Sequence, residues 1–262
     1  MKRLIIVEGL PCSGKSTTAR YIAEKLGMRF VDEGTGDHPA DYEFQAFLTE
    51  SDLEAFTADE RELVLQNSAK KSGGYISELG AFSGELFDKL LQYKVYDFLP
   101  WETERPVMLD KWREFAQNIR GESYVFNCVL LQNPMCETMM RFGFDEAVSE
   151  AYIREICGMI EPLSPFVVYL GNSEVYDSVK KASAERGDDW LNAVIDYHCG
   201  GEYGKKLGLS GFDGYIAALE ERQRRELSIL GRLGVDNIVL DDPQRDWESA
   251  YSAIISELNE VR

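Results

Sequence analysis

The chain of 262 residues carries 46 acidic against 28 basic side chains, a net charge of −18, and 44% hydrophobic residues. That length and apolar content suit a folded protein with a sizeable core, and the acidic balance argues against nucleic acid or an anionic membrane as partner. Cys12, Cys128, Cys136, Cys157 and Cys199 never stand as C-x-x-C, and His38 and His198 are the only histidines, so a disulfide framework, a zinc ribbon and a histidine-rich metal site are excluded.

The first apolar run predicts a strand over Arg3–Glu8. It is too short for a signal peptide, and no stretch approaches the length of a membrane span, so a cytoplasmic protein is expected. Directly after it, Gly9-Leu10-Pro11-Cys12-Ser13-Gly14-Lys15-Ser16-Thr17 fits G-x-x-x-x-G-K-[ST], the phosphate-binding P-loop. A helix follows, with Ala19, Ile22, Ala23 and Leu26 on one stripe and Gly27 as its stop. In that strand–loop–helix context, backbone N–H groups can wrap a polyphosphate at the positive end of a helix dipole. Gly9 and Gly14 stand where side chains would block the turn. Gly9, Pro11, Cys12, Ser13, Gly14, Lys15, Ser16 and Thr17 are therefore the candidate nucleotide-binding residues. Lys15 reaches the terminal phosphates as a point charge, and the Ser16 hydroxyl is the candidate Mg²⁺ ligand.

A short second strand is predicted over Met28–Glu33, ending in the loop Gly34–Pro39. From Tyr42 to Gln117 the pattern reads as helical, interrupted by Gly73-Gly74, Gly80, Gly84, Pro100 and Pro106. Its aromatic residues either cover a sheet face or line a pocket for a planar substrate. Tyr124–Leu131 is a near-continuous apolar run, as in a strand buried on both faces, with Gln132-Asn133-Pro134 at its carboxyl end, where α/β sheets hold ligands. Helices over Pro134–Phe142 and Asp145–Glu161 precede another buried strand, Phe166–Leu170. Asn172–Ser210 is polar and Gly-rich. A long amphipathic helix over Asp213–Leu233 has Arg222, Arg224 and Arg225 on its solvated face. A strand at Asn237–Asp241 and a helix carrying Trp247, Tyr251, Ile254 and Leu258 close the chain. The expected fold is α/β of the P-loop NTPase type, a three-layer α/β/α arrangement around a parallel sheet of about five strands. No repeat or linker divides it, so one domain over 1–262 is expected.

Ile-Val-Glu-Gly-x-x-x-x-Gly-Lys-Ser-Thr, here Ile6 to Thr17, resembles the nucleoside and nucleoside-monophosphate kinases, particularly thymidylate kinase and the deoxynucleoside kinases. The last strand and helix, and the long helix ahead of them, look like the end of that group. The resemblance implies a helical substrate-side insertion over 35–120 and a lid-like segment over 172–210. It implies ATP and Mg²⁺ as cofactors, and phosphoryl transfer to a small-molecule acceptor, a nucleoside or nucleotide. That group carries an acid at the end of the second strand; Glu33 holds the place here, either as general base toward an acceptor hydroxyl or as a solvated acid capping the loop. Arg186 is the corresponding choice for a lid arginine, the alternative being a surface arginine in a polar turn. Asp110-Lys111-Trp112 imitates the group's Asp-Arg-aromatic signature, yet Met108, Trp112, Phe115, Ala116 and Ile119 form a helical stripe, which favours a helix there. No Asp at a strand end is then left to support Mg²⁺. A P-loop ATPase or GTPase, or a nucleotide-binding protein without catalysis, are the alternatives; no guanine-reading Asn-Lys-x-Asp occurs.

Overall fold

Leu4, Ile5, Ile6 and Val7 are wholly buried, as a strand with neighbours on both edges and helices on both faces requires. A computed structural model describes residues 2–260; residue 1 and residues 261–262, the ends of the expected 1–262 domain, lie outside the described residues. The first elements are β1 (Leu4–Gly9), α1 (Lys15–Leu26) and β2 (Arg29–Val31). There follow β3 (Gln45–Leu48), α2 (Ala58–Gln66), β4 (Ser68–Lys71), β5 (Gly74–Glu78), α3 (Gly84–Leu91), α4 (Val95–Phe98) and α5 (Trp101–Asn118). Next come β6 (Tyr124–Asn127), α6 (Gln132–Met135), a π-helical turn at Cys136–Arg141, α7 (Glu146–Ile160) and β7 (Phe166–Gly171). The remainder is α8 (Val175–Arg186), α9 (Asp188–Cys199), α10 (Glu202–Leu207), α11 (Gly211–Leu233), β8 (Asp236–Asp241) and α12 (Trp247–Glu260).

These elements fall into two compact units, one running to Asp32 and resuming at Ile119, the other Glu33–Asn118, where composition alone suggested a single domain. The first unit is built on a five-stranded sheet in the order β2-β6-β1-β7-β8, with every neighbouring pair parallel. β1 is its central strand. Ile5 and Val7 face α1 and α12 through Ala19, Ile22, Ile254 and Leu258. On the opposite face, Glu8 and Tyr169 are register partners, and Tyr169 donates to Glu226 of α11. The three-layer α/β/α fold with five parallel strands is thus present.

Two strands are shorter than their sequences suggest. β2 stops at Val31. β6 stops at Asn127, not Leu131, because Cys128 (φ +55°) and Val129 (φ +85°) turn the chain out of the sheet. Gln132-Asn133-Pro134 consequently opens α6 and is not a strand's end. The segment 172–210 consists of three helices, α8 to α10.

The second unit corrects the helical reading of 35–120. β3, β5 and β4 form an antiparallel sheet. Gly73 sits with Ser72 at φ +80° and +53°, a two-residue turn whose positive angles match the twist of the strands it joins. A Cβ on Gly74 would lie 2.4 Å from the Leu48 carbonyl oxygen, so this glycine marks close strand packing. Ala46, Leu48, Leu53, Phe56, Val64, Leu79 and Leu90 form this unit's core. Asp110-Lys111-Trp112 lies inside α5, with Met108, Trp112 and Phe115 buried, as the helical stripe indicates.

Ile22 anchors α1 on the sheet and is fully buried. Ile22→Ala is expected to cost about 3 kcal/mol by removing buried methyl groups and leaving a cavity, measured as the change in urea-unfolding free energy.

Candidate functional site

The loop between β1 and α1 is shaped by residues that leave no space for substitution. Gly9 has φ +145°, and a Cβ there would stand 2.6 Å from the Leu170 carbonyl oxygen and 2.8 Å from Ser13 Oγ. Gly14, the residue capping α1, has φ +92°, and its Cβ would stand 2.6 Å from Cη2 of Trp247. Trp247 is itself held by Tyr251, which stacks on Tyr21 of α1 at 4.2 Å. Between the glycines, Cys12 is left-handed at φ +67°, and the Ser13 N–H donates to Leu10 O at 3.2 Å. The Thr18 N–H bonds to Gly14 O at 3.0 Å. The N–H groups of Lys15, Ser16 and Thr17 are thus the first turn of the helix, where no carbonyl four residues back is available to them. They form a concave set of donors with positive character.

Lys15 is 7% exposed and its ammonium donates to Leu10 O at 3.0 Å. The side chain therefore folds back along its own loop. Arg186, at the end of α8, lies with its guanidinium 4.9 Å over the Trp190 ring. Burial raises the Cys12 thiol, while the charges of Arg186 and Lys15 pull it down and Glu185 adds to the rise.

At the carboxyl end of the sheet, Asn127 joins elements distant in sequence. Its Nδ2 donates to Ser16 Oγ at 2.9 Å and to Asp32 Oδ1 at 2.7 Å. Asp32 also pairs with Arg20 at 3.5 Å. The acid connected to the loop is therefore Asp32, next to Glu33. Glu33 is exposed and is the first residue of the other unit. Sequence reasoning passed over Asn127 because the apolar residues after it extended the apparent strand.

Ser16 Oγ and the Asp32 carboxylate, both bonded to the Asn127 NH₂ group, make an all-oxygen donor pair. Such hard donors fit Mg²⁺, which keeps several waters and takes one or two protein oxygens beside phosphate. Among the described residues, no group of three or more His, Cys, Asp or Glu could hold a metal.

Beneath the loop lies a buried polar group. Glu8, fully buried, accepts the N–H of Leu130 and of Leu131 on Oε1 at 2.8 Å each, and that of Gln132 on Oε2 at 3.2 Å. Arg222, expected on the solvated face of α11, is instead 1% exposed and lies 3.1 Å from Glu226. Their i,i+4 spacing on a helix was the available signal. Arg224 stays outside, in ion pairs with Glu221 and Glu146. Burial, then the charge of Glu226, raises the Glu8 carboxyl to about 7, against the pull of the three amides.

No family model matches the chain, and no curated protein matches it. Solved structures similar to it include a deoxyadenosine kinase from M. mycoides with dCMP and dCDP bound, at 17% identity and TM-score 0.47, covering 99% of this chain and 100% of that one. Another is the YorR protein of Bacillus subtilis in complex with phosphorylated GDP, at 15% identity and TM-score 0.43, covering 99% and 98%. A third is thymidylate kinase from Candida albicans, at 14% identity and TM-score 0.40, covering 92% and 83%. At these identities the likeness is one of fold alone. No helix among the described residues is long and apolar enough to cross a membrane.

Gly14→Ala forces a Cβ against the Trp247 ring in a left-handed conformation. It is expected to cost about 2 kcal/mol, read from urea unfolding. The Glu8 carboxyl binds its proton more tightly in the folded chain (about 7, against an ordinary 4.5). The stability it contributes is complete below pH 4.5 and is lost as pH rises through 7, by up to about 3 kcal/mol. Unfolding free energies at pH 5 to 8 should therefore fall with rising pH in the wild type relative to Glu8→Gln.

Proposed function

We propose that this chain is a small-molecule kinase that moves the γ-phosphoryl group of ATP to a nucleoside or nucleotide acceptor. The observation that carries the proposal is the amide-lined loop with the Lys15 side chain folded along it and Ser16 tied through Asn127 to Asp32. The acceptor class rests on the resemblance of Ile6–Thr17 to nucleoside and nucleoside-monophosphate kinases. The proposed setting is the cytoplasm, in keeping with five unpaired cysteines.

In this reading the N–H groups of Gly14 to Thr17 hold the donor's β- and γ-phosphates, with Gly9, Pro11, Cys12 and Ser13 shaping the approach. Lys15 leaves the Leu10 carbonyl and places its charge on the terminal phosphates, where negative charge must be accommodated as the bond to the leaving oxygen lengthens. Ser16 and Asp32, steadied by Asn127, are the residues that would hold Mg²⁺. When bound, that ion neutralises charge on the phosphate oxygens and orients them. Asp32 is thereby engaged, which leaves its neighbour Glu33 as the general base that takes the proton of an acceptor hydroxyl. Arg186, carried on α8 of the segment 172–210, supplies a second positive charge to the donor phosphates and helps exclude water as that segment closes. An acidic body needs these two cations placed locally, since its long-range field repels a triphosphate.

The test is ADP release from Mg·ATP across the four deoxynucleosides and their monophosphates, with the phosphorylated product identified by mass spectrometry. Acceptor-dependent ADP release is expected, with Lys15→Ala lowering kcat about 100-fold. Glu33→Gln is expected to lower kcat by a similar factor for a hydroxyl acceptor, while Mg·ATP affinity stays unchanged. Turnover indifferent to every acceptor would replace the kinase reading with that of an ATPase.

A further inference from the structure

Two consecutive non-glycine residues, Cys128 and Val129, have positive φ angles of 55° and 85°. The left-handed region is uncommon for any side chain, and a β-branched valine there is an outlier. Such a conformation persists only where surrounding structure over-determines it. What the structure offers at this turn is Glu8. Its fully buried carboxylate accepts the three successive N–H groups of Leu130, Leu131 and Gln132. These are the donors that would be left unpaired where the strand ends and α6 begins. On the other side, the Cys128 N–H bonds to Val7 O at 2.9 Å, continuing the β1–β6 ladder to the first residue of the turn. The turn is thus fastened at both ends to β1, at Val7 and Glu8, which immediately precede the phosphate loop. Immediately before the turn stands Asn127, whose amide bridges Ser16 and Asp32.

We propose that Glu8 is a positioning residue for phosphoryl transfer: its carboxylate holds the strained Cys128–Val129 turn and thereby keeps the Asn127 amide between Ser16 and Asp32. This rests on the kinase reading above and gives a role to the acid of Ile6-Val7-Glu8-Gly9 that the loop motif leaves unassigned. Glu8 touches no phosphate in this scheme and acts only through Asn127. A neutral isostere still fits the space. Glu8→Gln, however, offers one carbonyl oxygen and turns an NH₂ group toward donors, so three inward N–H groups cannot all be satisfied.

The experiment combines hydrogen exchange with kinetics on wild type, Glu8→Gln and the double variant Glu8→Gln/Val129→Gly. In Glu8→Gln the amides of Leu130, Leu131 and Gln132 are expected to exchange at least tenfold faster. The kcat for ADP release, with whichever deoxynucleoside turns over, is expected to fall at least tenfold, while calorimetric affinity for Mg·ATP stays within threefold. Glycine at 129 adopts the left-handed turn without an anchor, so the double variant should recover at least threefold in kcat over Glu8→Gln. A role in stability alone would not produce that recovery. Unchanged kcat and exchange in folded Glu8→Gln, or no recovery in the double variant, would overturn the role while leaving the kinase reading intact. Absence of Mg·ATP binding by the wild type would overturn that reading and this role with it. Should Glu8→Gln not fold, wild-type exchange decides: rates for the three amides within tenfold of free-peptide values would refute the anchor.

Discussion

A turn of backbone N–H groups can face a ligand only where no side chain fills the concavity, and here that constraint falls on Gly9 and Gly14. Both have positive φ angles, and each is closed off on its outer side, by the Leu170 carbonyl and the Trp247 ring respectively. The loop is therefore not a flexible glycine-rich connector. It is gripped between β7 and the first residue of α12, and the aromatic stack through Tyr251 and Tyr21 ties that grip back to α1. The sheet order places β1 in the middle, so the loop leaves the most constrained strand of the fold.

Charge is arranged around this loop in layers. The chain as a whole is strongly acidic, yet Lys15 and Arg186 both act on Cys12 within the loop. The acids nearby are each engaged: Glu8 with three amides, Asp32 with Asn127 and Arg20, Glu226 with Tyr169 and Arg222. Burial out of water, and next the charge of Glu226, raise the Glu8 carboxyl despite its three donors.

The parts of the fold legible in the sequence are those fixed locally. The phosphate loop is one contiguous motif; β1 and β7 are short apolar runs buried on both faces; α11 and α12 carry long stripes and glycine or turn boundaries. What escaped was set by distant residues. Cys128-Val129-Leu130-Leu131 has strand-like composition, and only Glu8, more than 120 positions away, makes it a turn. That overrun hid Asn127, a polar residue at a strand's true end. The hairpin of β4 and β5 escaped for another reason. Its first strand, Ser-Ala-Lys-Lys, lacks an apolar alternation, so Gly73 and Gly74 read as breaks in a helix instead of a turn and a close contact. Arg222 looked solvated because its sequence neighbours Arg224 and Arg225 are basic too.

The most direct measurement is calorimetric titration of Mg·ATP into the folded protein. Saturable binding at one site per chain is predicted, since a single loop of this geometry follows β1. A well-folded sample that gives no heat of association with Mg·ATP would contradict the account at its foundation, leaving an α/β fold without the ligand its loop is shaped to receive.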